Sequence, residues 1–289
     1  MNALSLPVSM FEASARLTVD AAGIASLAKK SLLLEVETWP KPGLVSHVDS
    51  GSHSDMDAGT FRDSASAIEP YLRSLVVAGA SGCQMTHLRS IGLAAETAML
   101  SATNGINTHR GAIFGMGLLC AAAGARANGV VSPRSPLGSV VHELWGQSIL
   151  AGPRLADSHG AQAQLRYGAG GARAEAAKGF PSIYKIGIPA LQAARLKSPD
   201  DLEAQRVETC FALIAELDDT NLLHRGGDEG LCFAQRAARH FLATGGIGAG
   251  RWQRRAQSIH EEFITRTLSA GGAADLLAMT LFVDEIEGP

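Results

Sequence analysis

Between Glu35 and Asp57 the chain reads EVETWPKPGLVSHVDSGSHSDMD. The last eleven residues hold two imidazoles, His47 and His53, and three carboxylates, Asp49, Asp55 and Asp57. Groups of these kinds bind metal ions or move protons. The Pro40-Lys41-Pro42-Gly43 turn ahead of them holds Lys41 between stiff neighbours, so the lysine loses less entropy on meeting an anion. A second concentration lies at 104–111, NGINTHRG, where Asn107, His109, Arg110 and Gly111 stand at a helix start. Free amides, the positive end of the helix dipole and an arginine suit a polyphosphate. Gly111 lets a ligand or a second backbone come close. The third is 218–228, where Asp218-Asp219-Thr220-Asn221 precedes His224-Arg225-Gly226-Gly227-Asp228. Adjacent carboxylates at a helix end oppose its dipole unless a cation offsets them. Mg2+ typically uses one or two carboxylates beside substrate phosphates.

Helices must present these groups. Aromatic residues make up only 5% of the chain, alanine and leucine are abundant, and no segment alternates like a strand. This pattern predicts an all-α protein packed through small residues. With no repeat, low-complexity run or linker, it reads as one compact multi-helix domain over 18–289 behind a loose lead-in at 1–17. The first firm helix runs from about Asp20, its N-cap, to about Thr38, where Trp39-Pro40 ends it. Ile24, Leu27, Ala28, Ser31, Leu32 and Glu35 share one face of it, so Glu35 points inward while Glu37 points away. An inward carboxylate must be paired, metal-bound or used for proton transfer.

Asp57 caps a second helix to about Ala78, with Phe61, Ala65, Ile68, Leu72 and Val76 inward and a kink expected at Pro70. A third, Gln84 to Ala102, places Glu96 at the margin of its apolar stripe. Asn107 or Thr108 caps the helix that begins at His109-Arg110, whose glycines and alanines suit close helix contacts within the chain or across a homodimer. Further helices are expected at Gly138–Leu150, in a short piece behind the glycine-rich 166–171 and ended by Pro181, and at Asp201–Leu217 with a possible cap at Ser198. Asp228 is read as capping Glu229–Ala243. A helix over Arg251–Leu268, with Ala256, Ile259 and Phe263 inward, and a closing helix through Ile286 complete the set. Asp275, near the start of the last, is accounted for by the helix dipole alone.

The formal net charge of −3 argues against a nucleic-acid binder held by phosphates. Four scattered cysteines, Cys83, Cys120, Cys210 and Cys232, form no CxxC pair and read as buried reduced thiols. No apolar run is long enough to span a bilayer and no leader is recognisable, so a cytoplasmic protein is expected. There is no Ser-His-Asp or Cys-His signature and no dinucleotide fingerprint. Taken together, the carboxylates, basic groups and helix starts predict a Mg2+-dependent reaction on a phosphorylated substrate.

The sequence resembles the triphosphoribosyl-dephospho-CoA synthase family, which makes the prosthetic-group precursor of citrate lyase and malonate decarboxylase. The resemblance rests on Glu35-Val36, PKPGLV (40–45), GSHSDMD (51–57), GLAAETAML (92–100), NGINTHRGAIF (104–114), Gly179-Phe180-Pro181, DDTNLLHRGG (218–227) and SAGGAADLLAMT (269–280), in this order over nearly the whole chain. Ser46-His47 stands where the family pattern has Asp-Arg, and Ala270 where it has Pro, so His47 and Asp49 are left outside the site. The resemblance implies transfer of the 5-triphosphoribosyl group of ATP to the 2′-hydroxyl of 3′-dephospho-CoA, adenine release, and delivery of the product to a carrier-protein transferase. On this basis Glu35 is expected as general base, with Glu96 in reserve. Asn107 and His109 would position ribose or assist adenine departure. Lys41, Arg110 and Arg225 would bind phosphates, and Gly43, His53, Gly111, Asn221, Gly226 and Gly227 complete the substrate contacts. Asp55, Asp57 and Asp219 are expected to hold Mg2+. The rival readings are a Mg2+-dependent ribosyl hydrolase and a non-catalytic nucleotide-binding accessory protein.

Overall fold

Every regular element among the described residues is helical, and none is a strand. The computed structural model describes residues 9–153 and 170–288, with side chains from residue 21 onward. The helices are α1 (Ser9–Val36), α2 (Ala58–Ala80), α3 (Met85–Ala102), α4 (Arg110–Ala127), α5 (Leu137–Ala151) and α6 (Gly171–Ala177). They continue with α7 (Ile188–Lys197), α8 (Leu202–Glu216), α9 (Thr220–Ala243), α10 (Trp252–Thr265) and α11 (Gly271–Glu287). A π-helical turn, Ile183–Gly187, leads into α7. No described helix is long and apolar enough to cross a membrane.

Helix α4 is apolar on all sides, and from Ala112 to Ala125 every residue but Phe114 is buried. A helix without a polar face must lie inside the fold. It packs against α2, α11, α3, α5 and α1, which surround it. Its small residues serve the chain's own core. A Cβ on Gly79 of α2 would overlap the Ala121 carbonyl of α4, and one on Gly124 of α4 would overlap the Val76 carbonyl of α2. The backbones of these two helices therefore touch. Helix α11 bridges the halves of the molecule, packing against α1, α4 and α8.

Several boundaries differ from expectation for identifiable reasons. Helix α1 begins at Ser9, not Asp20, because no proline or glycine interrupts 9–20; residues 1–8 of the expected lead-in lie outside the described residues, as do 166–169 of the glycine-rich stretch. Helix α2 continues through Pro70 to Ala80. Asp201, not Ser198, caps α8, accepting the Ala204 N–H at 2.9 Å. Helix α9 starts earlier than expected, at Thr220 under an Asp219 cap, and is broken at Gly227, where φ 59° and ψ −160° are open to glycine; its second piece begins where the helix over Glu229–Ala243 was expected. The residues after Pro181 also turn helical, with Pro189 at a first-turn position where no N–H is needed. Of the four cysteines, all free, Cys120 and Cys210 are buried but Cys232 is exposed.

The α2–α4 contact predicts that Gly79→Ala lowers unfolding stability by about 1–3 kcal/mol through overpacking. Gly92→Ala, in α3 with open space around it, is expected to raise it by about 0.5–1 kcal/mol. Urea titrations of both variants check the pair; equal effects would mean that the two helices do not meet as described.

Candidate active site

The inward face of α1 carries Ser31, Leu32 and Glu35 into the core, and Glu35 is buried while Glu37 is exposed. Beyond α1 the chain passes Trp39-Pro40, joined by a cis peptide bond, into the Pro-Lys-Pro-Gly turn. Gly43 has φ +66°, and a Cβ there would overlap the Leu268 carbonyl. His260 of α10 fixes the turn from the other side. Its Nδ1 lies 2.6 Å from the Lys41 carbonyl oxygen, and its Nε2 lies 3.1 Å from Asp49 Oδ1. Ser52 Oγ donates to the Leu268 carbonyl at 2.6 Å. So held, Lys41 does not project from the turn. Its side chain is 0% exposed, and its ammonium is paired with the Glu35 carboxylate. Buried ions this close must stay paired, because removing one partner typically costs about 3–5 kcal/mol.

His109, at the N-cap position of α4, is also buried. Thr108 Oγ1 donates to Ser64 Oγ at 2.7 Å, and Ser64 Oγ lies 2.6 Å from His109 Nδ1. The Ser64 hydroxyl can give its hydrogen to Nδ1 or accept one from it. The other ring nitrogen, Nε2, is buried and has no partner among the described residues. Burial, reinforced by the Lys41 charge, pushes the imidazole pKa down to about 4. His109 is therefore neutral at pH 7, with one buried ring nitrogen left for a ligand to meet. Asn107 Oδ1 accepts the Arg110 N–H at 3.3 Å, and Arg110 Nε donates to Glu96 Oε2 at 3.1 Å. This pair sits at the partly exposed rim of the α4 start.

Two further helix starts meet the same region. Asp219 caps α9, its Oδ1 accepting from Asn221 N at 2.8 Å and Leu222 N at 3.4 Å, while Oδ2 accepts the Ala273 N–H of α11 at 3.0 Å. One buried carboxylate thus ties two helices together. Burial raises its pKa despite these bonds. Asp275, one turn into α11, lies with Oδ2 where a Cβ of Gly111 would be. Burial, then the charges of Glu35 and Asp219, hold its carboxyl well above the usual range. Asp275 thus belongs to this cluster although its position near a helix start seemed to explain it; lying four residues ahead of buried Met279, it occupies the inner face of α11. His260 was equally readable, since it shares a face with Ala256 and Phe263.

The remaining candidates form an outer ring. Arg225 donates to the Ser52 and Thr267 carbonyls at 3.2 and 3.0 Å, and its guanidinium lies 3.3 Å from His53 Nδ1. His53 Nε2 is 3.0 Å from Ser269 Oγ, and Asp55 stands 3.7 Å from His53 Nδ1. Burial and Arg225 lower the His53 pKa. Gly226 faces Leu268, and Asn221 faces Gly271. Asp57 is taken up by the α2 capping box, its Oδ1 accepting from Thr60 N at 2.8 Å. With Asp55, Ser50, Ser54 and Thr60 it lines a polar hollow of about 220 Å³. Asp219 is not brought to this hollow: no three His, Cys, Asp or Glu side chains among the described residues gather as a metal site. His47, on the exposed side of the loop, contributes nothing to the cluster. A larger cavity of about 850 Å³ opens between α1, α2 and α3 beside Glu69, Arg73 and His87, and touches none of the candidates.

A buried acid–base cluster at converging helix starts, with Arg110 and Arg225 outside it, makes a candidate centre for an anionic substrate in a helical enzyme. The profile of the CitG family, ATP:dephospho-CoA triphosphoribosyl transferase, matches residues 21–289, and the chain belongs to that family. It is 42% identical to the 2-(5''-triphosphoribosyl)-3'-dephosphocoenzyme-A synthase of Pectobacterium atrosepticum, over 86% of this chain and 84% of the relative. It is 38% identical to the synthase of the same name from Klebsiella pneumoniae, over 90% and 89%. It is also 38% identical to the probable synthase of Stutzerimonas stutzeri, over 91% of each chain. No solved structure matches.

The state of His109 has a measurable consequence. The folded imidazole takes up its proton only near pH 4, the unfolded one near 6.5. Between these values the unfolded chain binds more protons, so the His109 term makes stability rise with pH. The window is worth about 3 kcal/mol. Unfolding measured from pH 7 to 4 should show a steeper acid loss in the parent than in His109→Gln; parallel curves would contradict the buried neutral imidazole.

Proposed function

We infer that this chain transfers the 5-triphosphoribosyl group of ATP to the 2′-hydroxyl of 3′-dephospho-CoA and releases adenine. The observation that supports the reading most is that four residues from separate matching segments come together: Glu35 is paired with Lys41, the Lys41 charge acts on His109, and the Glu35 charge acts on Asp275. Breaking the N-glycosidic bond develops positive charge on the ribose, as in glycoside cleavage. Glu35 is the general base for the acceptor hydroxyl and a negative charge beside that ribose. Lys41 fixes the orientation of Glu35. His109 gives its Nε2–H to an oxygen of the substrate, with Asn107 beside it. The triphosphate is retained throughout, so it needs lasting contacts rather than a leaving-group path. Arg110, Arg225 and the amides at the α4 start supply them, with His53 and the loop at Gly43 closing the outer side. Asn221, Gly226 and Gly227 set the approach from α9, and Glu96 orients Arg110.

Mg2+ fits as a companion of the phosphates. Asp55 and Asp57 line the polar hollow and are the residues that would hold it, whereas both oxygens of Asp219 are committed to backbone N–H groups. Bound there, the ion would offset phosphate charge. ATP and dephospho-CoA suit a cytoplasmic protein, and the product would pass to a carrier-protein transferase serving citrate lyase or malonate decarboxylase.

Adenine release from ATP is expected to depend strongly on dephospho-CoA; equal release without the acceptor would favour a ribosyl hydrolase, and ATP binding without release an accessory protein. Glu35→Gln, shown by its circular dichroism and ATP affinity to stay folded despite the lost charge beside Lys41, should lower turnover by roughly 100-fold or more. Turnover near that of the parent would remove Glu35 from the mechanism.

A further inference from the structure

The roles above leave the departing base without an acid. Adenine leaves far more readily as a neutral molecule than as an anion, so a ring nitrogen must gain a proton as the C1′–N9 bond weakens. Lys41 is wholly enclosed and paired with Glu35. His109 is neutral at working pH, and its unpartnered Nε2 is the group assigned above to an oxygen of the substrate. Both oxygens of Asp219 are held by backbone N–H groups of α9 and α11. Glu96 is bonded to Arg110 at the rim.

Asp275 differs from all of these. It accepts no hydrogen bond from any described residue, although it lies against the first turn of α4, where amide donors are at hand. It is also only partly buried, whereas Glu35, Lys41, His109 and Asp219 are all enclosed. A carboxyl left unbonded, reachable from outside and laid over the α4 start is placed for a ligand. The enclosure of the carboxyl, and after it the adjacent negative groups Glu35 and Asp219, favour its neutral form.

We propose that Asp275 is the proton donor to the adenine leaving group. The proposal rests on the transferase reading above. As the acceptor oxygen bonds to C1′, the C1′–N9 electron pair passes into the purine, and the Asp275 carboxyl proton goes to a purine ring nitrogen. Adenine departs neutral and Asp275 is left as carboxylate. The acceptor's hydroxyl proton goes to Glu35. Exchange of that proton with Asp275, directly or through water, restores the starting state with no other reactant consumed.

The test compares two substrates that differ in their need for an acid: ATP, and 4-nitrophenyl ribofuranoside 5-triphosphate, whose nitrophenolate leaves without a proton. Asp275→Asn is expected to lose roughly 100-fold or more in kcat on ATP but less than about 5-fold on the nitrophenyl compound, with ATP affinity unchanged. Glu35→Gln should be slow on both. Equal losses for Asp275→Asn on the two substrates, or no loss on ATP, would overturn the donor role while leaving the transferase reading intact, because the parent still forms the adduct. A parent enzyme that releases no adenine in the presence of dephospho-CoA would remove both. Should the nitrophenyl compound not be turned over, the pH profile on ATP decides. An alkaline fall in the kcat of the parent that is absent from Asp275→Asn supports the donor, and the same fall in both refutes it.

Discussion

A lysine ammonium with no exposure to water is the constraint on which the centre depends. Lys41 can be there only because Glu35 meets it, and each ion alone would carry a desolvation cost of several kcal/mol. Such pairs add little net stability, so their value lies in position. Glu35 needs an α1 that ends where it does, and Lys41 needs the proline-flanked turn. The turn in turn needs the contact of Gly43 with the Leu268 carbonyl and the hold of His260 on the Lys41 carbonyl. Segments more than two hundred residues apart are thereby locked into one geometry, and the charge of Lys41 reaches His109 and helps to keep it neutral.

Around that pair the fold gathers helix starts, which bring donors and positive potential to a region rich in acids. Asp219 uses this arrangement structurally, joining the starts of α9 and α11 through one carboxylate. Its charge and that of Glu35 then act on Asp275. Acids placed close together cannot all be ionised, and the environment sorts them into different states. Here Glu35 faces a cation and Asp275 faces anions.

Much of this was legible before the fold was known. Helical periodicity turned Glu35 inward, the Asp57 capping position was local, and composition indicated helices alone. What escaped detection was long-range. Nothing in a Pro-Lys-Pro-Gly string says that its lysine will be drawn inside; that follows from α10 and the loop after it, which press on the turn from far along the chain. Gly226-Gly227 reads as a boundary, and the chain does break at Gly227; what was not legible is that the segment before it is already helical from Thr220, started by an Asp219 whose other oxygen meets α11. Asp275 was passed over because a carboxylate near a helix start already has a sufficient local explanation. The face it shares with Met279 was the available signal.

The central claim is that the ribose and all three phosphates of ATP move together while only adenine leaves. A single-turnover reaction with ATP labelled in both the ribose and the γ-phosphate, chased with dephospho-CoA, addresses it directly. The account predicts both labels in one dephospho-CoA adduct, at their starting ratio, with one adenine released per adduct. An adduct carrying ribose without the γ-phosphate, or both labels remaining in free triphosphoribose, would contradict it.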